Sequence, residues 1–472
     1  MTYSVAILDE GITDGAQSRL GKATVFEHDY LFGDGDTDNH AADTHANSVF
    51  ASLLRVSRAV DVLDLKIGDE LGPLPYLVEQ GMQDLLSLAP VHHVAAVSLS
   101  FSTYSNPGYE DEIAALQRSG VIFVVSSSNS GSHDGLESPA FPANLPGVIA
   151  VGSHDGRGRP SGFSNNGPGT DLLADGEDMP QAGFRGTSFA APQVAATVAH
   201  VQAIVHGLTG TILDSAQMLD ALRRGGTGPR SQPDPADDHT RYFLHDHARS
   251  LDYAWARYGG TDAKALEYVA SYDDLSAAFG VDVAAGRNHF LRSGSVEERT
   301  IGFDGLSYVA SYADLIVALG PNALAGAAHY IAAGRHEGRT DSFEELDYIA
   351  SYDDLIGALG ANPQAASTHF IAHGHGEGRT TSFDGLQYIA SHGDLILAFG
   401  AAEERGAQHF ITQGRGEGRA RDDFDAAQYL ANYADLRLAF GGDEEAAARH
   451  FILSGFAEGR TDGVLAGADF LI

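Results

Sequence analysis

Over residues 1–258, short apolar runs alternate with stretches in which apolar positions recur every three or four residues. Tyr3–Leu8, Val60–Ile67, Val94–Leu99, Gly120–Val125 and Gly147–Val151 are nearly continuous and rich in β-branched residues, as strands covered on both faces are. Between them, Ala46–Val56, Pro75–Leu88 and Glu110–Ser119 read as amphipathic helices. Such alternation predicts an α/β fold, a parallel sheet with helices on both faces. In such sheets chemistry gathers at the carboxyl ends of the strands.

From Ala263 the pattern changes to a repeat of about 40 residues, marked by Tyr268, Tyr308, Tyr348, Tyr388 and Tyr429. The same register carries Asp274, Asp314, Asp354, Asp394 and Asp435, then His289, His329, His369, His409 and His450. Gly-x-x-Glu-x-Arg elements close the units at Arg299, Arg339, Arg379, Arg419 and Arg460. Within one unit, Ser351-x-x-Asp354 reads as a capping box, Gly360 as a helix stop and Asn362-Pro363 as the next helix start. Two or three short helices per unit, five times over, predict an all-α tandem-repeat domain. The repeat histidines read as structural, because the repeated register supplies only one imidazole per unit, and Glu-x-Arg reads as an ion pair closing the turn. The chain thus divides into residues 1–258, a linker 259–262, five repeats over 263–461 and a tail 462–472.

Charge and composition narrow the function. Among 472 residues, 64 Asp and Glu face 29 Lys and Arg, a net charge of −35. A field that negative repels phosphate backbones and anionic lipid, which excludes nucleic acid as a partner. There is no cysteine, hence no disulfide, thiol catalysis or Cys-ligated metal. No apolar run approaches the roughly 18 residues of a membrane span. The start of the chain has no signal-peptide pattern. The tail Asp462–Ile472, with Asp469 before Phe470-Leu471-Ile472, resembles a C-terminal signal for one-step bacterial export, so secretion is expected, with a cytoplasmic protein as the alternative.

Gly186-Thr187-Ser188-Phe189-Ala190-Ala191-Pro192 carries the sharpest chemical signal. It puts a hydroxyl at the start of a small-residue helix, where backbone N–H groups can face a developing oxyanion. Serine needs a base and a carboxylate beside it. Upstream, Asp9 ends the first apolar run and His45 opens a helix, so the chain order is Asp, His, Ser. In that order and in these contexts the chain resembles the subtilisin-like serine proteases (subtilases) over roughly residues 3–258.

The resemblance implies a subtilisin-like sheet and serine acyl transfer, with Ser188 as nucleophile, His45 as base and Asp9 orienting it. Val124–Gly131 matches the segment carrying the oxyanion Asn, here Asn129. Val97–Ser102 looks like an edge strand that pairs with substrate backbone, making Ser98, Leu99, Ser100 and Phe101 substrate-binding candidates together with Ser126, Ser127 and Ser128. Ser161–Gly167 matches a further loop of the family. Two positions depart from it. Ser128 stands where the family usually has Gly, which narrows the primary pocket, and Ala42–Ser48 differs from the usual His-Gly-Thr-His-Val-Ala-Gly.

No cofactor is required for this chemistry. Gly33–Asn39 places Asp34, Asp36 and Asp38 at alternate positions, as in calcium loops, so a structural Ca²⁺ competes with a solvated acidic turn. The expected function is a serine endopeptidase acting on proteins or peptides. The alternatives are a binding or surface-display protein whose repeats do the work, and an array that contacts and inhibits the catalytic domain. The ligand of the repeats is not readable from the sequence.

Overall fold

The computed structural model describes residues 3–37, 44–69, 71–103, 105–131, 137–177, 184–231 and 241–463. Asp38 and the tail from residue 464 onward lie outside the described residues, and with them one calcium candidate and the export candidate Asp469–Ile472. In chain order, the first part holds β1 (Ser4–Asp9), α1 (Asp14–Leu20), β2 (Phe26–Asp29), α2 (His45–Val56) and β3 (Asp61–Lys66). A small hairpin, β4 (Gly68–Asp69) and β5 (Gly72–Pro73), precedes α3 (Pro75–Val91), β6 (Val94–Leu99), α4 (Pro107–Arg118), β7 (Ile122–Ser126), β8 (Ile149–His154) and β9 (Leu172–Asp175). Then come α5 (Thr187–Thr209), α6 (Ser215–Gly225), β10 (Thr227–Ser231), β11 (Arg241–Leu244) and α7 (His247–Arg257).

The sheet runs β10-β11-β9-β8-β7-β6-β1-β3-β2. Its pairings are parallel except β10 with β11, as expected where helices return the chain between strands. One expectation fails here. β6 is no edge strand: it lies between β1 and β7, paired through Ala96–Leu99 on both sides. Its continuous apolar character is that of a central strand. β2, too polar and short to announce itself, takes the edge, and the fully buried Lys66–Asp29 ion pair (2.7 Å) ties it to β3.

One face of the sheet packs on a cluster that includes Leu8, Leu65, Met82, Leu85, Ile113 and Phe123. Against the sheet also lies α5, buried at every residue from Thr187 to Val205, and α2 packs on it. Residues 1–271 and 282–301 form one compact unit, which takes in most of the first repeat: α8 (Asp262–Ala270), α9 (Val283–His289) and the π-helical turn Phe290–Gly294.

Residues 272–281 and 302–472 form the second unit. Here each repeat is built on one clamp. The Tyr348 hydroxyl bonds His369 Nδ1 at 2.9 Å, and Tyr308–His329, Tyr388–His409 and Tyr429–His450 repeat it at 2.9–3.0 Å. The histidines are therefore structural. Each clamp needs a glycine opposite: a Cβ at Gly374 would stand 2.2 Å from the Tyr348 hydroxyl oxygen. Arg379 closes the unit as expected, through Glu377 (2.7 Å), and also reaches Asp354 (2.9 Å) and lies over the Tyr352 ring.

Asn362 caps its helix by accepting from Ala365 N–H at 3.1 Å, and Gly360 stops the one before at φ 58°. Ser351, however, is no capping box. It ends the preceding helix, donating to the Asp347 carbonyl (2.7 Å), and its oxygen receives the Ser382 and Phe383 N–H groups of the next repeat. A local motif has been recruited for a longer-range contact.

Gly374→Ala should therefore lower stability by ~1–3 kcal/mol through overpacking, and Tyr348→Phe alone by about 1 kcal/mol through the lost hydrogen bond. Combined, the two should cost less than their sum, because Tyr348→Phe removes the atom that the added methyl strikes. Denaturant melts of the four proteins measure that coupling, and strict additivity would contradict the clamp.

Candidate active site

The carboxyl ends of β1 and β6 and the first turns of α2 and α5 converge. β1 delivers Asp9 and α2 starts at His45, whose Nδ1 lies 3.0 Å from both Asp9 carboxylate oxygens. Thr44 caps α2, its hydroxyl oxygen accepting the Asn47 N–H at 3.0 Å. The Glu10 carboxylate accepts the His45 backbone N–H, so a second acid holds the same helix start. Burial disfavours the His45 imidazolium, but Asp9 and then Glu10 outweigh it and keep its pKa above the ordinary histidine value. Burial in turn raises the Glu10 carboxyl.

Ser188 stands in the first turn of α5 and is 9% exposed. Pro192, four residues on, has no N–H to give, which leaves the Ser188 carbonyl unclaimed by its own helix. Ser100, just past the end of β6, takes it: Ser100 Oγ donates to the Ser188 carbonyl at 2.8 Å, and Ser188 Oγ donates to the Ser100 carbonyl at 3.0 Å. The Ser188 hydroxyl is thus turned to Ser100 and makes no hydrogen bond to His45. The His45 and Phe189 ring centroids are 5.5 Å apart.

Asn129 follows β7 in an exposed position. Its Oδ1 accepts from the Thr187 N–H (2.9 Å) and the Thr187 hydroxyl (3.0 Å), so Nδ2 is the end left to donate. Ser128 has φ 100°, a left-handed conformation costly for any residue with a Cβ, and this accounts for glycine as the family's usual residue there.

The remaining substrate candidates separate by position. Ser100 and Phe101 line a cleft of about 310 Å³ with Asp9, His45 and Leu71 of the β4–β5 hairpin. Ser98, Leu99, Ser126 and Ser127 are buried in or at the ends of interior strands, where they support the wall instead of lining it. Asp34 Oδ1 accepts the Asp36 N–H at 3.2 Å in an exposed turn. The carboxylates close enough to share an ion, among the described residues, are Asp9 and Glu10 with His45, and Glu344, Asp347 and Glu403 in the array. Sequence reasoning missed Glu10, Thr187 and the hairpin. The first two were legible only as neighbours of motif residues, and the third carries no chemical signature.

A parallel α/β sheet thus presents an Asp–His pair, a helix-start serine and an amide side chain at its strand ends. The sequence profile of the Subtilase family (peptidase S8) matches residues 2–231, and this part of the chain is a subtilase domain. Alkaline elastase YaB of Bacillus sp. (strain YaB) is 28% identical over 213 residues, covering 42% of this chain and 53% of that protein. A subtilisin-like protease of Coccidioides posadasii is 29% identical over 215 residues, covering 42% and 52%. The chain spans about half the length of these two relatives, and 75% of subtilisin BL of Lederbergia lenta, at 27% identity over 42% of this chain. A cold-adapted subtilisin-like serine proteinase of known structure superposes with a TM-score of 0.42 at 20% identity, over 51% of this chain and 87% of that one.

Glu10→Gln removes one of the charges that favour the His45 imidazolium, so the His45 titration midpoint should move to lower pH. Imidazole NMR signals followed across the acid range read that midpoint, and an unmoved or upward-moving one would contradict the electrostatic role.

Proposed function

We propose that the protein is a serine endopeptidase working through Asp9, His45 and Ser188. The observation that carries this reading is the two-oxygen contact of Asp9 with His45 Nδ1 at 3.0 Å, which leaves Nε2 as the proton acceptor on the side of α5. In the working enzyme the Ser188 side chain rotates from the Ser100 carbonyl to His45 as substrate enters, a tightening common between free and bound serine enzymes. Ser188 Oγ then attacks the scissile carbonyl and His45 takes its proton. The imidazolium, favoured by Asp9, returns the proton to the leaving amine, and water repeats the sequence in reverse to free the acid.

Asn129 Nδ2 and the Ser188 N–H stabilise the oxyanion. The Asn donor alone should be worth about 10²–10³ in kcat, the size found for the equivalent donor in subtilisin. Substrate backbone lies along Ser100–Ser102, beyond the end of β6. Calcium enters only as a structural ion at Asp34, Asp36 and Asp38, supported by their spacing.

A fluorophosphonate probe should label Ser188, and labelling should fall by at least about 10³-fold in His45→Ala, the order seen when a triad member is lost. A folded protein that does not react would favour the reading in which the repeats bind and the catalytic fold is inert.

The Ser128 hydroxymethyl group fills space that glycine leaves open beside the primary pocket. Cleavage should therefore follow small or short apolar residues, and Ser128→Gly should admit larger ones. A peptide-library profile led by Phe or Tyr in the unmodified protein would contradict this.

A further inference from the structure

The cleft beside His45, of about 310 Å³, is separate from the primary pocket: residues 126–129 do not line it. Its walls divide by chemistry. Asp9, Glu10 and Asp69 bring carboxylates, and Leu71, Pro73 and Phe101 bring apolar surface. No lysine or arginine is among the described residues that line it. Asp9 is committed to His45. The Glu10 carboxylate accepts the His45 backbone N–H, and Asp69 Oδ1 accepts the Leu71 N–H at 2.9 Å across the hairpin turn. Both donors are backbone amides, so neither bond neutralises the charge it meets.

One oxygen of Asp9, one of Glu10 and a His45 ring nitrogen all lie within 4.8 Å of one another. Burial first, and then the Asp9 charge, push the Glu10 carboxyl above its ordinary range. A cation set against these carboxylates relieves that repulsion. Leu71 is 91% exposed although it lines the cleft, so its apolar face is open to whatever enters. Lysine and arginine lay a methylene stem along apolar surface and carry the charge to its end. Apolar walls that lead to acids are the complement of that shape. The net charge of −35 on the chain adds a field that draws cationic peptides and repels acidic ones.

On the reading of the protein as an endopeptidase, we propose that this cleft is the subsite for a lysine or arginine side chain of the substrate, next to the residue cleaved. Glu10 and Asp69 are the partners of its charge, and Leu71, Pro73 and Phe101 pack along its stem. The preferred substrate is then a peptide that pairs a small residue in the primary pocket with a basic neighbour.

The full-length chain is given peptide libraries with a small residue at the cleaved position and varied residues on either side of it. At one of those positions Lys or Arg should be favoured over Gln by roughly tenfold in kcat/KM, the size of one hydrogen bond to a charged group, and high salt should shrink the preference. Asp69→Asn and Glu10→Gln each keep an oxygen for the backbone amide and remove the charge, so together they should bring the Lys-to-Gln ratio close to one. That ratio compares two substrates on one protein, so a general loss of activity through His45 leaves it unmoved. A second readout needs no turnover. In the Ser188→Ala chain, a Lys-bearing peptide should lower the His45 titration midpoint, followed by NMR, further than its Gln counterpart, because a cation then stands beside the imidazolium. Fluorophosphonate labelling of Ser188 with a ratio near one in the unmodified protein, a ratio unchanged in the double variant, or equal midpoint shifts by the two peptides would each overturn the subsite while leaving proteolysis standing. No labelling, with the larger shift by the Lys peptide retained, would overturn proteolysis and support the cleft as selective for a cation.

Discussion

A helix buried from Thr187 to Val205 can leave no polar group of its first turns unpaired, and the site is assembled by the neighbours that meet this demand. Pro192 frees the Ser188 carbonyl, and Ser100 claims it. The next carbonyl, of Phe189, accepts from Ser52 Oγ at 2.5 Å and from the Gln193 side chain at 2.8 Å. Gln193 also reaches the Asp175 carbonyl at the end of β9. Through these bonds α5 fixes the end of β6 that walls the cleft and the helix that begins with His45. The interactions that orient the chemistry are those that make the helix tolerable in the core.

The array solves its burial differently. Each unit repeats one tyrosine–histidine bond, one glycine that admits it and one arginine that closes the turn. Its stability is local and cumulative, as in other solenoids. The exposed ion pairs add little individually, since water screens them. The clamp, whose tyrosine is fully buried and whose histidine is partly so, meets less competition from water.

Much of this was readable in the chain. Val94–Leu99 coincides with β6, and β1, β3, β7 and β8 fall within two residues of their apolar runs at most ends, because strands buried on both faces must be apolar throughout. The repeat tyrosines and histidines could be paired by register alone. What could not be read depends on contacts distant in sequence. That β6 is central follows from which strands flank it, and a strand's own residues do not encode its neighbours. Ser351 satisfies a local capping pattern, yet residues about thirty positions on compete for its hydroxyl and win. Asp9, His45 and Ser188 stood out by motif, whereas Glu10 and Thr187 act through a helix start and an amide orientation that exist only in three dimensions.

In the later repeats an aromatic from the start of the unit packs on the residue after the clamp histidine: Phe303 on Tyr330, Phe343 on Phe370, Phe383 on Phe410 and Phe424 on Phe451. The first repeat has Ala263 in that register, and Phe290 instead meets Trp255 of α7, the chain's single tryptophan, at 5.5 Å, and abuts Gly207 of α5. The socket is generic and its plug interchangeable. Units can therefore be gained or lost by duplication downstream of Ile301 without redesign, whereas the first is bespoke. A gene fusion that joined such an array to another enzyme would need that enzyme to offer a ring where Trp255 now stands.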